Sequence, residues 1–388
     1  METLEKTSTT LSGSSNSGLS FQIEKETLLN GLKIVERAAV QKGLQPVLAN
    51  ILIESADKNK INLYATDFDL TIITSVEAQV VHSGSITLPA RKMLDIISRL
   101  GGGIINFELD GNIMNITSGK SKFDIIGISA SEFPRIEFIS DDSDSIEMEL
   151  KPFAAGIKEA GYAAAAYEMN NNLLSGVVYD VSNNVLEMAS TDGNRLARTR
   201  KLITNKDGKT QKLIIPARFL QEFLKIAYFI EDESVKIYSM NNKIMIKTDS
   251  VSMISNVMNG QYPPYNQLIP QSFTNEAKIN TAEIISSIER VSTMVNEKTS
   301  IIKLEFSHNT LNLKADTPET GNSEDQIDVS YSGEDMIIAF NYRYLLDCFK
   351  NINSDNLTVS MNTNLSAAVI KPDSEDDFIY LVMPVQLR

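Results

Sequence analysis

Three aspartates stand where carboxylate chemistry could be assembled. Asp67, Asp192 and Asp316 close the stretches NILIESADKNKINLYATD, GVVYDVSNNVLEMASTD and KLEFSHNTLNLKAD. A positioned carboxylate can act as a general acid or base. Their separations of 125 and 124 residues argue for another role. A residue recurring at one place in every copy of a repeat serves the fold, and an aspartate there accepts turn N–H bonds. Other reactive types are scarce. His82, His308 and Cys348 are the only histidines and cysteine. His82 is expected beside a loop, His308 in a hairpin turn, and Cys348 on the apolar stripe of a helix. This excludes an intramolecular disulfide framework and a Cys-rich zinc site, and leaves little for a His-based centre. The Gly-Lys-Ser of SGKSK (118–122) lacks the glycine a phosphate loop requires, since Met114 stands there. No GxSxG is present. Neither catalysis, a metal nor a cofactor is expected.

The elements that hold these aspartates recur with them. Alternating apolar residues around polar turns predict hairpins. A strand running into a helix recurs in ITLPARKMLDIISRL, LIIPARFLQEFLKIA and MIIAFNYRYLLDCFKNI, with Pro89 and Pro216 127 residues apart. Proline suits the first helical turn, where its missing N–H has no partner. The stripes Met93/Ile97/Leu100, Phe219/Phe223/Ala227 and Leu345/Phe349/Ile352 have helical spacing. A closing strand carries Pro134, Pro263 and Pro384, separated by 129 and 121 residues. Three landmarks at one period predict three copies of an α+β domain, each with two helices and about eight antiparallel strands. Opening helices are expected near 24–39, 152–163 and 281–295. The expected boundaries are a disordered tail at 1–19, then domains at 20–140, 146–270 and 275–388. The acidic run 140–145 reads as the first linker and 270–277 as the second.

The 388 residues carry 36 Lys+Arg against 50 Asp+Glu, a net charge of −14. That balance alone speaks against nucleic acid. Hydrophobic content of 42% supports sizeable cores. No apolar run approaches the roughly 20 residues of a membrane span. The start METLEKTSTTLSGSSNSG lacks a secretory h-region, so a cytoplasmic protein is expected. Two features differ from the repeat pattern. Copy two follows its Thr-Asp pair with Gly193-Asn194-Arg195-Leu196, where copy one has Phe68-Asp69-Leu70-Thr71. The last residues, LVMPVQLR, are unusually apolar, which suits an edge strand or a binding surface.

TLPARK (87–92), SGKSKF (118–123), EFP (132–134), TDGNRL (191–196), NGQYPPY (259–265), YSGEDM (331–336) and VMPVQL (382–387) together resemble the bacterial β sliding clamps, processivity subunits of DNA polymerase III. The match runs from about residue 20 onward. The resemblance implies three tandem clamp domains, closed head to tail by a second copy into a six-domain ring around duplex DNA. It implies a non-catalytic subunit that tethers the polymerase III alpha subunit and other proteins carrying clamp-binding motifs. An ATP-dependent clamp loader would open and close the ring. A topological link also removes the objection from charge. The spans 24–39, 90–100, 152–163, 217–227, 281–295 and 341–352 hold twelve Lys+Arg and nine Asp+Glu, a weakly positive lining within an acidic chain. Loose, sequence-independent phosphate contact would suit sliding.

The resemblance also assigns residues. The partner-peptide pocket would comprise Leu174, Thr191, Gly193, Asn194, Arg195, Leu196, Pro263, Gln267, Leu268, Asn341, Tyr344, Leu365, Ala367, Leu381, Val382, Met383, Pro384 and Val385. DNA-facing candidates are Lys25, Lys33, Arg37, Arg91, Lys92, Arg99, Lys158, Tyr167, Asn171, Arg218, Lys225, Arg290, Arg343 and Lys350. The subunit contact would use Phe123 and Ile125 against Thr293 and Met294. The family usually has histidine at Asn194 and arginine at Gln267 and Gln386, and here the chain runs on to Arg388. Those departures bear on the pocket's charge and peptide preference. Two other readings stand beside the clamp: a scaffold ring or arc that uses only the peptide pocket, and a hydrolase using Asp67, Asp192 or Asp316.

Overall fold

The computed structural model describes residues 18–386, apart from 41–44, 142, 167–172, 206–207, 297–298, 318–320 and 375–376. The chain forms two compact units. The first comprises residues up to Ser145 together with Phe229–Asn256; the second comprises Ile146–Tyr228 and Val257 onward. The middle repeat is therefore divided between them.

The first unit holds helices α1 (Lys25–Val35) and α2 (Ala90–Arg99). Its smaller sheet has five antiparallel strands, in the order Gln79–His82, Ser20–Glu24, Ile104–Asp110, Ile113–Ser118, Ser121–Ile126. Its larger sheet runs Ser234–Met240, Lys243–Lys247, Val251–Asn256, Leu70–Glu77, Lys60–Thr66, Asn50–Ser55, Ser85–Pro89. The second unit holds α3 (Leu150–Ala160), α4 (Ala217–Ala227), α5 (Thr281–Ser292) and α6 (Tyr342–Phe349). Its nine-stranded sheet is centred on Arg195–Leu202 beside Asp377–Val382, and its four-stranded sheet runs Gly321–Asp328, Thr310–Thr317, Ile301–Ser307, Met336–Asn341.

The repeat is visible in how helices meet sheets. Gly31, Gly156 and Ser287 are each the seventh residue of α1, α3 and α5, and all three are buried. A Cβ on Gly31 would lie 2.8 Å from Val76 Cγ1 and 2.9 Å from Leu63 Cδ1. One on Gly156 would lie 2.8 Å from Met188 Sδ. Small residues here let the opening helix lie close on its sheet; a larger one would overpack the contact.

Several expectations shift in detail. Pro89 and Pro216 occupy the cap position just before α2 and α4, and Asn341 does so before α6. The opening helices are shorter than expected, because α1 and α3 tighten into 3₁₀ turns at Glu36–Ala38 and Gly161–Ala163. His82 ends strand Gln79–His82 beside the short loop at 83–84, and His308 lies in the turn between Ile301–Ser307 and Thr310–Thr317. Cys348 is fully buried in α6. Within the acidic run, Lys247 Nζ meets Asp141 Oδ1 at 2.6 Å.

Candidate functional site: an apolar groove in the second unit

Strand Val185–Thr191 reverses through Asp192-Gly193-Asn194 into Arg195–Leu202. Two side chains close this turn. Thr191 Oγ1 accepts from Gly193 N at 3.1 Å and donates to Arg195 O at 2.5 Å. Asp192 Oδ1 accepts from Asn194 N at 2.9 Å and Arg195 N at 3.1 Å. Gly193 has φ 91°, the left-handed region that glycine enters without strain. Asp67 does the same work in the first unit, accepting from Asp69 N and Leu70 N at 3.1 and 2.7 Å. Asp316 departs from the pattern. It lies within strand Thr310–Thr317 and its carboxylate meets Lys303 Nζ at 2.8 Å. These roles leave each of the three carboxylates structurally employed. Among the described residues no group of three or more His, Cys, Asp or Glu is arranged to hold a metal ion.

The apolar segment after residue 377 completes the nine-stranded sheet. Arg195 pairs with Val382 and Leu196 with Leu381, while Ala368 flanks Val382 on the other side. Beyond the strand, Met383 N donates to Asn194 O at 2.9 Å and Val385 N to Ala339 O at 2.8 Å. The segment is thus clipped to the middle-repeat turn at one point and to the last repeat at the next. Beneath it Val178, Ala189, Leu196, Val369, Leu381 and Tyr265 form one buried cluster, with Ala367 and Tyr262 packed against it. The Tyr262 hydroxyl accepts from Thr191 N at 3.1 Å and donates to Gly176 O at 3.3 Å. Around this floor, Leu268, Leu365 and Met383 are 58%, 59% and 42% exposed. Exposed leucine and methionine over a buried apolar floor, with backbone groups at the rim, suit an extended peptide with apolar anchors.

Some residues assigned to the pocket have structural duties. Arg195 is the clearest. Its guanidinium donates to Asp192 Oδ2 at 3.0 Å, Asp347 Oδ2 at 2.6 Å and Tyr162 O at 3.1 Å, and it lies 4.5 Å from the Tyr344 ring centroid. The Tyr344 carbonyl accepts from Tyr380 Oη at 2.9 Å. Asn341 caps α6 by accepting from Arg343 N at 2.9 Å. Leu174 accepts from Ala165 N at 2.9 Å, Pro263 from Tyr265 N at 2.8 Å, and Gln267 N donates to Pro264 O at 3.2 Å. Pro384 is half-buried. Sequence reasoning did not assign Tyr262 and Tyr265 to the floor, although both lie in the quoted NGQYPPY.

A charged ladder braces the groove. Arg198 Nη2 meets Asp377 Oδ1 at 2.5 Å, and Arg200 Nε meets Glu187 Oε2 at 2.5 Å. Tyr265 Oη donates to Glu187 Oε1. Burial alone would raise the Glu187 pKa, but hydrogen bonds from Tyr265 and Arg200 and the nearby arginine charges outweigh it and lower the pKa below the ordinary 4.5. A depressed folded-state pKa contributes stability that is present above 4.5 and lost as pH falls through the folded value. Thermal melts below pH 4.5 should therefore show a steeper acid loss for the native chain than for Glu187→Gln. Parallel slopes would remove Glu187 from the acid response.

The twelve cationic DNA-facing candidates are spread over all six helices and their ends. Lys25 lies near Glu26, Arg99 pairs with Asp95, Lys225 with Glu222, Arg290 with Asp325 and Lys350 with Glu289. Arg343 lies over the Tyr342 ring at 5.8 Å. Lys33 and Lys92 are exposed with no ion pair among the described residues, and Lys158 is half-buried. Arg91 and Arg218 are exposed and Arg37 half-buried, each with interactions of its own. Tyr167 and Asn171 lie outside the described residues. For the expected subunit contact, Ile125 is 7% exposed and faces its own core, Phe123 is half-buried, and their neighbour Ile126 is 76% exposed. Thr293 is exposed after α5, and Met294 O accepts from Thr317 Oγ1 at 2.5 Å.

Comparison with known proteins agrees with this architecture throughout. Profiles of the DNA polymerase III beta subunit match in sequence order: the N-terminal domain over residues 19–137, the central domain over 147–264 and the C-terminal domain over 266–386. The beta sliding clamp of Synechococcus elongatus is 30% identical over 367 residues, covering 93% of this chain and 97% of that protein. That of Synechocystis is 32% identical over 385 residues, covering 93% and 97%. A DnaN sliding clamp from Bartonella birtlesii, solved bound to griselimycin, superposes with a TM-score of 0.88 at 27% identity, covering 95% of this chain and all of that one. The Bacillus subtilis sliding clamp gives 0.87 at 25% identity, covering 96% and 100%. With three consecutive domain matches and full-length relatives at this identity, the chain belongs to the DNA polymerase III beta subunit family, the beta sliding clamps.

Proposed function

We propose that two copies of this chain close head to tail into a ring around duplex DNA, and that the groove at Met383 and Leu365 captures extended peptides of the replicative polymerase's alpha subunit, the clamp loader and other replication or repair proteins. The groove carries this reading. It is apolar, partly exposed, and built from two repeats by a segment clipped at Asn194 O and Ala339 O. The chain itself performs no chemistry: it confers processivity, and an ATP-dependent loader opens and closes the ring.

The proposed ring contact has support at two sheet edges. Ser121–Ile126 is the outer strand of the five-stranded sheet and Gly321–Asp328 the outer strand of the four-stranded sheet. Unpaired strand edges invite pairing with another chain. The first strand and its turn carry Lys120 and Lys122 against Asp124, a net positive edge; the second carries Glu324, Asp325 and Asp328. Opposite charge would favour their meeting over self-pairing of either edge. Thr293 and Met294 lie beside the second edge, since Met294 Cε is 3.5 Å from where a Gly321 Cβ would be.

The modest basicity of the helices suits a topological rather than adhesive hold on DNA. High salt strips ordinary phosphate contacts. The protein loaded onto nicked circular DNA by a matching loader with ATP should survive a high-salt sizing column. The same sample, linearised, should lose it. Equal loss from both forms, with a control clamp retained, would leave a scaffold that uses only the groove.

A further inference from the structure

The turn that shapes the groove in the second unit has a counterpart in the first, in the same register. There Thr191 pairs with Leu196, and Leu196 with Leu381. Here Thr66 pairs with Thr71, and Thr71 with Ile254. Thr66 Oγ1 accepts from Phe68 N at 3.1 Å, as Thr191 Oγ1 accepts from Gly193 N. The carbonyl of Asp69 accepts from Ser255 Oγ at 2.7 Å, where the carbonyl of Asn194 accepts from Met383 N. The EFP motif supplies Pro134 where the second unit has Pro263. A buried apolar cluster including Leu52, Tyr64, Phe133 and Ile254 lies beneath, with Ile136 packed against it.

Between these parts is a cavity of about 200 Å3, lined by the Thr66–Thr71 turn, the segment Pro134–Glu137, Lys243 and the end of strand Val251–Asn256. Where the second unit has a glycine at φ 91°, this turn holds Phe68 at φ 76°, 56% exposed and lining the cavity. A bulky residue kept in the left-handed region is a genuine outlier, and such strain concentrates at ligand-binding sites. The rim is cationic. Among the described residues Arg135 is exposed with no ion pair, and the ion-pair partner of Lys243 is the exposed Glu137, at 2.6 Å. A cavity of this size is below that of a typical small-molecule site and suits a single apolar side chain.

We propose that the first unit carries a second peptide-recognition pocket, one that takes an apolar anchor next to an acidic residue from an extended partner segment. The anchor enters against Phe68, Ile136 and Ile254. The acid pairs with Arg135 and competes with Glu137 for Lys243. The proposal rests on the reading of the second-unit groove as a peptide site. It differs from that groove in chemistry: the second-unit rim is apolar, with Leu365 and Met383, whereas this rim selects charge.

The test is a titration of the full chain, carrying 13C-methyl labels on isoleucine and methionine, with the peptide acetyl-Ser-Asp-Phe-Asp-Ser-amide. Ile136 and Ile254 report the proposed pocket and Met383 the second-unit groove. Saturable shifts at Ile136 and Ile254 are expected, with affinity falling at least tenfold in Arg135→Glu and in Lys243→Glu. Both positions are at the surface, so unchanged spectra elsewhere will verify the fold. Shifts at Met383 alone would overturn the second pocket and leave the proposed function standing. No shift at any of the three would also overturn the second pocket, while the second-unit groove is tested separately by a clamp-binding peptide read at Met383. Shifts at Ile136 and Ile254 that ignore the charge reversals would overturn the recognition chemistry.

Discussion

Removing Met383 to Arg388 should lower affinity for a polymerase-derived clamp-binding peptide by at least about 100-fold, while the subunits still assemble. The segment contributes the exposed Met383 and the half-buried Pro384 and Val385 to one wall of the groove. Anchor-lining residues at an interface are worth roughly 2 kcal/mol or more each, so losing the wall removes about two powers of ten or more. The folding cost is smaller. Among the described residues two backbone hydrogen bonds disappear, Met383 N to Asn194 O and Val385 N to Ala339 O. Each contributes about 1 kcal/mol net. The strand Asp377–Val382, with its pairing to Arg195–Leu202, remains. Fluorescence anisotropy with the labelled peptide reads the first effect, and sedimentation reads assembly. Unchanged affinity would refute the groove. Loss of assembly together with affinity would show that the segment supports the fold instead.

The sequence made some of this legible because the relevant partners are near neighbours in the chain. Thr191, Asp192, Gly193 and Arg195 close their turn within five residues, so the pattern itself carries the geometry. The same holds for Asp67. The hairpins and amphipathic helices followed from alternation and helical spacing, and Cys348 from its stripe. Asp316 shows the limit. Its position in the repeat matches, but Asn322 pairs with it across the next strand and Lys303 takes its carboxylate. Position in a repeat predicts a backbone, not a side chain's partner. Gly31, Gly156 and Ser287 are not legible in the sequence because their meaning lies in sheet residues about 30 or more positions away. The close approach of helix to sheet is a three-dimensional constraint with no local signature.

Arg195 is the sharpest case, and its removal is the other large effect expected. The resemblance places it in the peptide pocket. The structure gives it partners 152 and 33 residues away, at Asp347 and Tyr162. Its side chain is only 10% exposed. Arg195→Ala should therefore destabilise the second unit by about 3 kcal/mol, within the range for breaking a buried ion pair. The value stays at the low end for two reasons. Asp347 is 47% exposed and can rehydrate, and Asp192 keeps its Oδ1 bonds to the turn N–H groups. Arg195→Lys should recover little, because an ammonium cannot reproduce the forked contacts to two carboxylates and a carbonyl or the packing on Tyr344. Denaturant unfolding measures the loss. Peptide affinity should fall less than stability does, since the turn is held on its other side by Thr191 and Tyr262. If Arg195→Ala keeps its stability and loses the peptide instead, the guanidinium touches the ligand directly. If both losses appear, combining it with Asp347→Asn separates them: coupling in stability but not in affinity identifies Arg195 as the residue that positions the turn, with Asn194 O still left to clip the segment that forms the groove.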